Sequence, residues 1–150
     1  MLKKITLLLL LCFFWSCGYE PLYLKKNDLN QKIKVVTLNG DQKINKLIMS
    51  YLVIKGDKNA SSGYTLLLKS SKKIDVISKN KSGNASVYRS SVTVNLSLTD
   101  EETIIKQKEF NSSFTYNNSQ NRFGLSQYQK NIESNLINEI SEKIFIYLRT

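Results

Sequence analysis

The segment from Ala85 to Glu102, ASVYRSSVTVNLSLTDEE, alternates apolar and polar side chains over most of its length. One set of alternate positions is apolar or aromatic: Tyr88, Val92, Val94, Leu96 and Leu98. The intervening set is polar: Arg89, Ser91, Thr93, Asn95 and Ser97. Because successive side chains of a β-strand point to opposite faces, this pattern predicts a strand with one buried and one wetted face. Such strands are typical of antiparallel sheets.

Segments on both sides of this strand have the composition of further strands. Three of them are rich in β-branched and aromatic residues and are bounded by polar or turn residues: 33–38, a middle region with β-prone runs at 64–68 and 74–77, and 103–117. In the last of them Phe110, Phe114 and Tyr116 share one phase, which Lys106 and Lys108 also occupy. A β-bulge near residues 106–109, or a frayed strand end, would account for the two lysines.

Two segments have helical periodicity. In the first, expected at about 41–55, the apolar positions are Ile44, Leu47, Ile48, Tyr51 and Leu52. Asn39 with Gln42 is the expected capping box, and Gly56 is the expected stop. The second follows a loop at 117–125, is capped by Ser126 with Gln129, and runs to the C-terminus. Its stripe consists of Tyr128, Ile132, Leu136, Ile137, Ile140, Ile144, Tyr147 and Leu148.

The order β-α-β-β-β-α predicts an α+β fold. Each helix has one apolar face and the sheet needs one cover, so we expect two helices packed on one face of a four-stranded, mainly antiparallel mixed sheet. A single domain at 33–150 suits the length of the chain. The pattern leaves the order of the strands open.

The N-terminal residues have the character of a targeting segment. Lys3 and Lys4 precede an apolar run at 5–15, which is short for a membrane span but suits a signal peptide; a short uncleaved anchor is the alternative. Ser16 before Cys17 suits a bacterial lipobox, although Phe14 and Trp15 fit it poorly. We therefore expect a lipoprotein signal peptide at 1–16, acyl chains on Cys17 and a tether at 17–32.

The heptapeptide Cys17-Gly18-Tyr19-Glu20-Pro21-Leu22-Tyr23 resembles the start of mature alphaproteobacterial LptE proteins. These are the lipoprotein subunits of the outer-membrane lipopolysaccharide-assembly complex. The resemblance implies the α+β architecture above, an LptD-like outer-membrane β-barrel as partner, and lipopolysaccharide as ligand. It also implies a lipid-anchored location at the outer membrane, facing the periplasm and the lumen of the barrel. The polar loops 57–63, 78–86 and 117–125 are the segments expected to enter that lumen.

The chain is basic, with 22 Lys and Arg against 12 Asp and Glu, a net charge of +10 that falls to +8 without Lys3 and Lys4. Frequent Lys, Asn and Ile throughout the chain offer a purely compositional explanation. A more specific interpretation rests on six basic residues around the middle strands: Lys69, Lys72, Lys73, Lys79, Lys81 and Arg89. Lysine and arginine are suited to phosphate groups, and the resemblance implies that the phosphates are those of lipid A.

Other functions are less compatible with the sequence. Nucleic-acid binding conflicts with the export signal, and no nucleic-acid-binding motif is present. The chain has no histidine, so neither a serine hydrolase nor a histidine-based metal site is expected. We expect a non-enzymatic protein with no cofactor except the acyl chains on Cys17. The alternative is a membrane-tethered periplasmic structural lipoprotein that binds a protein partner and not lipopolysaccharide.

Overall fold

The computed structural model of the protein describes residues 33–57, 59–60 and 62–149. The predicted signal peptide (1–16) and the tether (17–32) lie outside the described residues. The elements, in chain order, are β1 (Ile33–Gly40), α1 (Gln42–Leu52), β2 (Tyr64–Lys79), β3 (Ala85–Asp100), β4 (Thr103–Asn117) and α2 (Arg122–Arg149).

The four strands form one mixed sheet in the order β1-β2-β3-β4. β1 and β2 are parallel and are joined through α1, whereas the other neighbours are antiparallel and are joined by short turns. The predicted α+β fold is confirmed, and the strand order, which the sequence left open, follows the chain order. The two β-prone runs at 64–68 and 74–77 belong to a single strand, β2.

The core lies between one face of the sheet and the two helices. The alternation predicted for β3 is confirmed, since Val92, Val94, Leu96 and Leu98 are all buried. The most deeply buried large side chains come from both helices and the middle strands: Ile44, Ile48, Leu66, Leu68, Leu96, Ile137, Ile140 and Ile144. The helical stripes therefore cover the apolar face of the sheet, and the opposite face has no helical cover within the described residues.

The start of α1 differs from the predicted cap. Asp41 is the N-cap, and its Oδ1 accepts hydrogen bonds from the backbone N–H groups of Lys43 (2.9 Å) and Ile44 (3.1 Å). Asn39 instead belongs to β1, where its carbonyl oxygen accepts a bond from the Asn45 side chain. The helix begins here because β1 ends at Gly40, whose positive φ and close approach to the Ser70 carbonyl oxygen leave no room for a Cβ.

The helix also ends before the predicted stop. Val53, and not Gly56, takes the left-handed C-cap conformation, with φ of 55°. Gly56 has another role, since a Cβ there would lie 2.9 Å from the Lys34 carbonyl oxygen of β1. It allows the chain to pass close to the first strand.

α2 begins at Arg122, one turn earlier than predicted. Asn121 Oδ1 accepts a hydrogen bond from the Gly124 N–H (3.0 Å), and its carbonyl oxygen accepts one from the Leu125 N–H (2.9 Å). Asn121 therefore caps the helix, and the predicted capping box at Ser126 is wrong because that residue already lies inside it.

The strand irregularity near Lys106 is real but lies earlier than predicted. Leu98 pairs with Lys106 and Thr99 pairs with Ile104, so Ile105 is the extra residue. The shift leaves Lys106 on the helix side, where its Nζ donates to the Tyr147 carbonyl oxygen (3.2 Å) in the last turn of α2. Lys108 Nζ lies 5.2 Å from the centre of the Tyr147 ring.

Candidate functional site

The six predicted basic residues lie around β2 and β3 but do not share one surface. Leu66, Leu68 and Ser70 are buried on the helix side of β2, so alternation places Lys69 and Lys73 on the uncovered face and Lys72 on the helix side. Arg89 of β3 lies opposite Asp75 and also belongs to the uncovered face. The remaining two residues, Lys79 and Lys81, lie at the end of β2 and in the turn that follows.

The uncovered face presents short polar side chains around its charged groups. Lys73 Nζ lies 2.8 Å from Asp75 Oδ1, and Arg89 Nε donates weakly to Thr115 Oγ1 on β4 (3.4 Å). A cross-strand bond of 2.8 Å joins Asn111 Nδ2 to Thr93 Oγ1. The face is thus a hydrogen-bonding surface with exposed cations, of which Lys69, Lys73 and Arg89 come from the predicted set.

Lys72 has a different environment, because it pairs with a buried carboxylate. Its Nζ lies 2.6 Å from Glu133 Oε2, while Lys43 Nζ lies 2.8 Å from Glu133 Oε1. Burial alone would raise the pKa of Glu133, but the hydrogen bonds and charges of the two lysines outweigh it and the pKa is lowered. The same hydrogen bond to Glu133 raises the pKa of Lys43. We call these three residues the Glu133 cluster; it joins α1, β2 and α2.

The sequence did not reveal Glu133, although one signal was available. Lys72 is in phase with the apolar positions of β2, and a lysine in that phase needs either exposure or an acidic partner. The sequence pattern could not identify that partner, because Glu133 lies 61 positions further along the chain than Lys72.

Two of the predicted loops meet at one end of the sheet and the third lies at the other. The turn between β2 and β3 is compact: Asn80 Oδ1 accepts bonds from the N–H groups of Ser82 (3.0 Å) and Asn84 (2.9 Å). Together with the segment before α2, it borders an open cleft of about 860 Å³. The lining is rich in amides and hydroxyls: Asn80, Asn84, Ser86, Asn118, Ser119, Gln120 and Arg122. The remaining predicted loop, 57–63, lies at the opposite end of the sheet, where the Asp57 N–H donates a hydrogen bond to the Ile33 carbonyl oxygen (3.1 Å).

A second, more apolar groove lies between β4 and α2. It has a volume of about 310 Å³, and its lining includes Phe114, Tyr128, Ile132 and Leu136. Phe114 and Tyr128 belong to the predicted apolar faces of β4 and α2, but each keeps nearly half of its surface exposed. Both side chains lie at the open side of the helix–sheet layer, where the outer edge of β4 has no neighbouring strand within the described residues.

The described residues contain no cluster of three or more acidic or cysteine side chains that could hold a metal ion. None of the helices they form is both long and apolar enough to cross a membrane.

Comparison with protein families supplies the assignment. The family model of LptE, described as lipopolysaccharide-assembly, matches residues 26–148. The chain belongs to the LptE family. The resemblance seen in Cys17–Tyr23 is thereby confirmed from a different part of the chain. LptE proteins are lipoprotein assembly factors and not enzymes, and membership connects this chain with lipopolysaccharide assembly.

Solved structures share the LptE-like fold at low sequence identity. Rare lipoprotein B from Shewanella oneidensis is 12% identical with a TM-score of 0.60, and the match covers 77% of this chain and 94% of that one. The minor lipoprotein from Acinetobacter baumannii is 13% identical with a TM-score of 0.57, over 75% and 87% of the two chains. At these identities the likeness shows the fold alone. No curated protein sequence matches the chain significantly.

Proposed function

We propose that this protein is an outer-membrane lipoprotein that lodges as a plug in an LptD-like β-barrel, binds lipopolysaccharide and assists its insertion in the outer membrane. Besides the family, one observation supports the plug role: within the described residues no helix covers one face of the sheet, and the β3 and β4 strands present mainly Thr, Ser and Asn side chains on that face. Hydroxyl and amide groups can form hydrogen bonds with the polar interior of a large barrel.

The barrel interaction can be tested by purification of the full-length, lipidated chain from detergent-extracted membranes. We expect one outer-membrane barrel protein to co-purify in a stoichiometric amount. Recovery of the chain without a barrel would contradict the plug role. Recovery with a different protein, and without lipopolysaccharide, would favour the alternative of a structural lipoprotein.

The anchor is the second part of the proposal. Cys17 would carry a diacylglycerol and an N-acyl chain, and two or more chains hold a protein stably at a membrane. The intact mass of the mature protein tests this directly. A chain that starts at Cys17 and carries the mass of the acyl groups is expected, whereas an unmodified or uncleaved N-terminus would refute it.

For lipopolysaccharide, the exposed cations of the uncovered face are better candidates than Lys72. Lys72 is held by the buried Glu133, whereas Lys69, Lys73 and Arg89 are exposed on one face, and the pair between Lys73 and Asp75 is itself open to solvent. Reversal of these three charges to Glu should weaken lipopolysaccharide binding about tenfold or more, since each charge-assisted hydrogen bond contributes roughly 1.5–3 kcal/mol before solvent screening. The matched control is Lys46→Glu, on the exposed side of α1. Equal binding by both variants would remove this face as the ligand site.

A further inference from the structure

One half of β2 has an edge without a neighbouring strand among the described residues. β1 pairs with β2 only as far as Gly40 and Ser70, and the Asp41 N–H then donates to the Ser70 carbonyl oxygen (3.1 Å). β2 itself continues to Lys79. Along residues 71–79 the side of β2 that faces away from β3 therefore has no strand partner in the described part of the chain. We call this stretch the free β2 edge.

The direction of the backbone groups on this edge follows from the bond at Ser70. Its carbonyl oxygen points away from β3, toward Asp41. Since backbone groups of alternate residues in a strand point to the same side, the N–H and C=O groups of Lys72, Ile74 and Val76 also point outward. The intervening residues direct theirs toward β3, as in the pair Asp75–Arg89. A bulge at Ile77 ends the regular stretch.

The side chains beside these outward groups are unusually apolar for an exposed strand. Ile74 is 46% exposed and Val76 is 47% exposed on the helix side of the sheet. They are left open because α1 starts beside Ser70 and runs back along β1. An apolar edge strand with unpaired backbone groups is a template for another strand.

The charges on the free β2 edge favour one kind of partner. The stretch carries Lys72, Lys73 and Lys79 against Asp75. Lys73 pairs with Asp75 and Lys72 shares Glu133 with Lys43, so a net positive charge remains beside the edge. A second copy of the same edge would bring three lysines from each chain together, and like charges across a strand pair are destabilising. An acidic strand would instead find complementary charges.

We propose that the free β2 edge binds an extended, acidic segment of the barrel partner, which adds to the sheet as a further strand. The segment would exchange backbone hydrogen bonds with Lys72, Ile74 and Val76 and place apolar side chains beside the last two. This inference rests on the proposed barrel partner and specifies where the contact lies.

A proline substitution distinguishes the contact at the free β2 edge from the association of the chain with the barrel as a whole. Ile74→Pro removes an outward N–H that no described residue uses, and it leaves the bonds between β2 and β3 in place. Ile74→Thr is the matched control, because it loses apolar surface but keeps the N–H. Each variant is purified as the full-length lipidated chain from detergent extracts of cells. We expect at least tenfold less barrel protein to co-purify with the Ile74→Pro variant than with wild type. The Ile74→Thr variant should retain most of the co-purifying barrel protein.

The outcomes are distinguishable. Full recovery of barrel by a folded Ile74→Pro chain would overturn the edge contact and leave the barrel association intact. Failure of the wild-type chain to recover any barrel would overturn the proposed function and the edge contact with it. If the proline variant fails to fold, a photo-crosslinking residue at Val76, with Lys46 as the control position, gives the answer. A crosslink from Val76 to the barrel supports the proposal; a crosslink to a second copy, or none, refutes it.

Discussion

Replacement of Glu133 by Gln would test whether the ionised Glu133 cluster stabilises the fold. The residue is 7% exposed and accepts a hydrogen bond from one lysine on each of its two carboxylate oxygens, at 2.8 Å and 2.6 Å. Glutamine has nearly the same shape, so the change removes the charge and one acceptor oxygen without opening a cavity. The cluster connects both helices to β2, so its loss should weaken the packing of both helices on the sheet.

The expected loss is about 1–2 kcal/mol in the free energy of unfolding. Two hydrogen bonds to a charged group could together contribute more than this, at roughly 1.5–3 kcal/mol each. Solvent reduces both contributions, because the side chains of Lys43 and Lys72 are 64% and 33% exposed. Glutamine also keeps one oxygen that can accept a bond from a lysine.

Urea denaturation at several pH values supplies the assay. The pKa of Glu133 lies below its ordinary value of 4.5 in the folded chain, so its ionised form stabilises the fold above that pH. This stabilisation is lost as the pH falls through the folded pKa, and the difference between wild type and Glu133→Gln should shrink in acid. A difference that stays constant from about pH 7 to about pH 3 would refute the role of the ionised cluster.

The matched control is Glu139→Gln. Glu139 also pairs with a lysine, at 2.6 Å from Lys143, and this bond, together with one from the Ser112 hydroxyl of β4 (2.6 Å), lowers its pKa. Its side chain is, however, half exposed, the lysine pair lies within one helix, and the amide oxygen of glutamine can still accept the bond from Ser112. We expect a change of at most about 0.5 kcal/mol. An equal loss in both variants would show that burial of Glu133 is unimportant.

Three further substitutions test the fold by the same urea titration. Asp41→Ala should cost about 1 kcal/mol because it removes the α1 cap; no change would contradict that capping role. Val53→Gly should stabilise the protein by up to about 1 kcal/mol, since a β-branched residue with positive φ is strained, and a loss of stability would contradict the strain. Ile140→Ala should cost about 2–5 kcal/mol because the side chain is fully buried; a loss below about 1 kcal/mol would place it outside the core.

The sequence predicted those parts of the structure that depend on a repeating pattern. Alternation in β3 identified the buried face, and the stripe from Ile132 to Ile144 identified the face of α2 that covers it. Both signals extend over many residues, so an error at one position does not change the result. A short stretch offers no such averaging, and both helix starts were accordingly placed at the wrong cap.

The helix starts depended on tertiary contacts. Asn39 and Asp41 are both good caps in isolation, and the choice was made by where β1 ends, which depends on Gly40 against Ser70. The prediction that grouped the basic residues also depended on the tertiary structure. Lys72 and Lys73 are neighbours in the chain, but they project to opposite faces of the sheet and have different partners. Grouping by position along the chain joined residues that strand alternation separates.

The agreement between strand order and chain order has a consequence for how the molecule forms. Each new strand pairs with the one made just before it, so a chain that emerges N-terminus first can extend its sheet without waiting for a distant segment. The main cover for β3 and β4, however, is α2, the last element. Until α2 has formed and packed on the sheet, the apolar side chains of β3 and β4 remain exposed to solvent and can bind other apolar surfaces. The interval before the last helix docks is therefore when an assembling molecule is most vulnerable to aggregation.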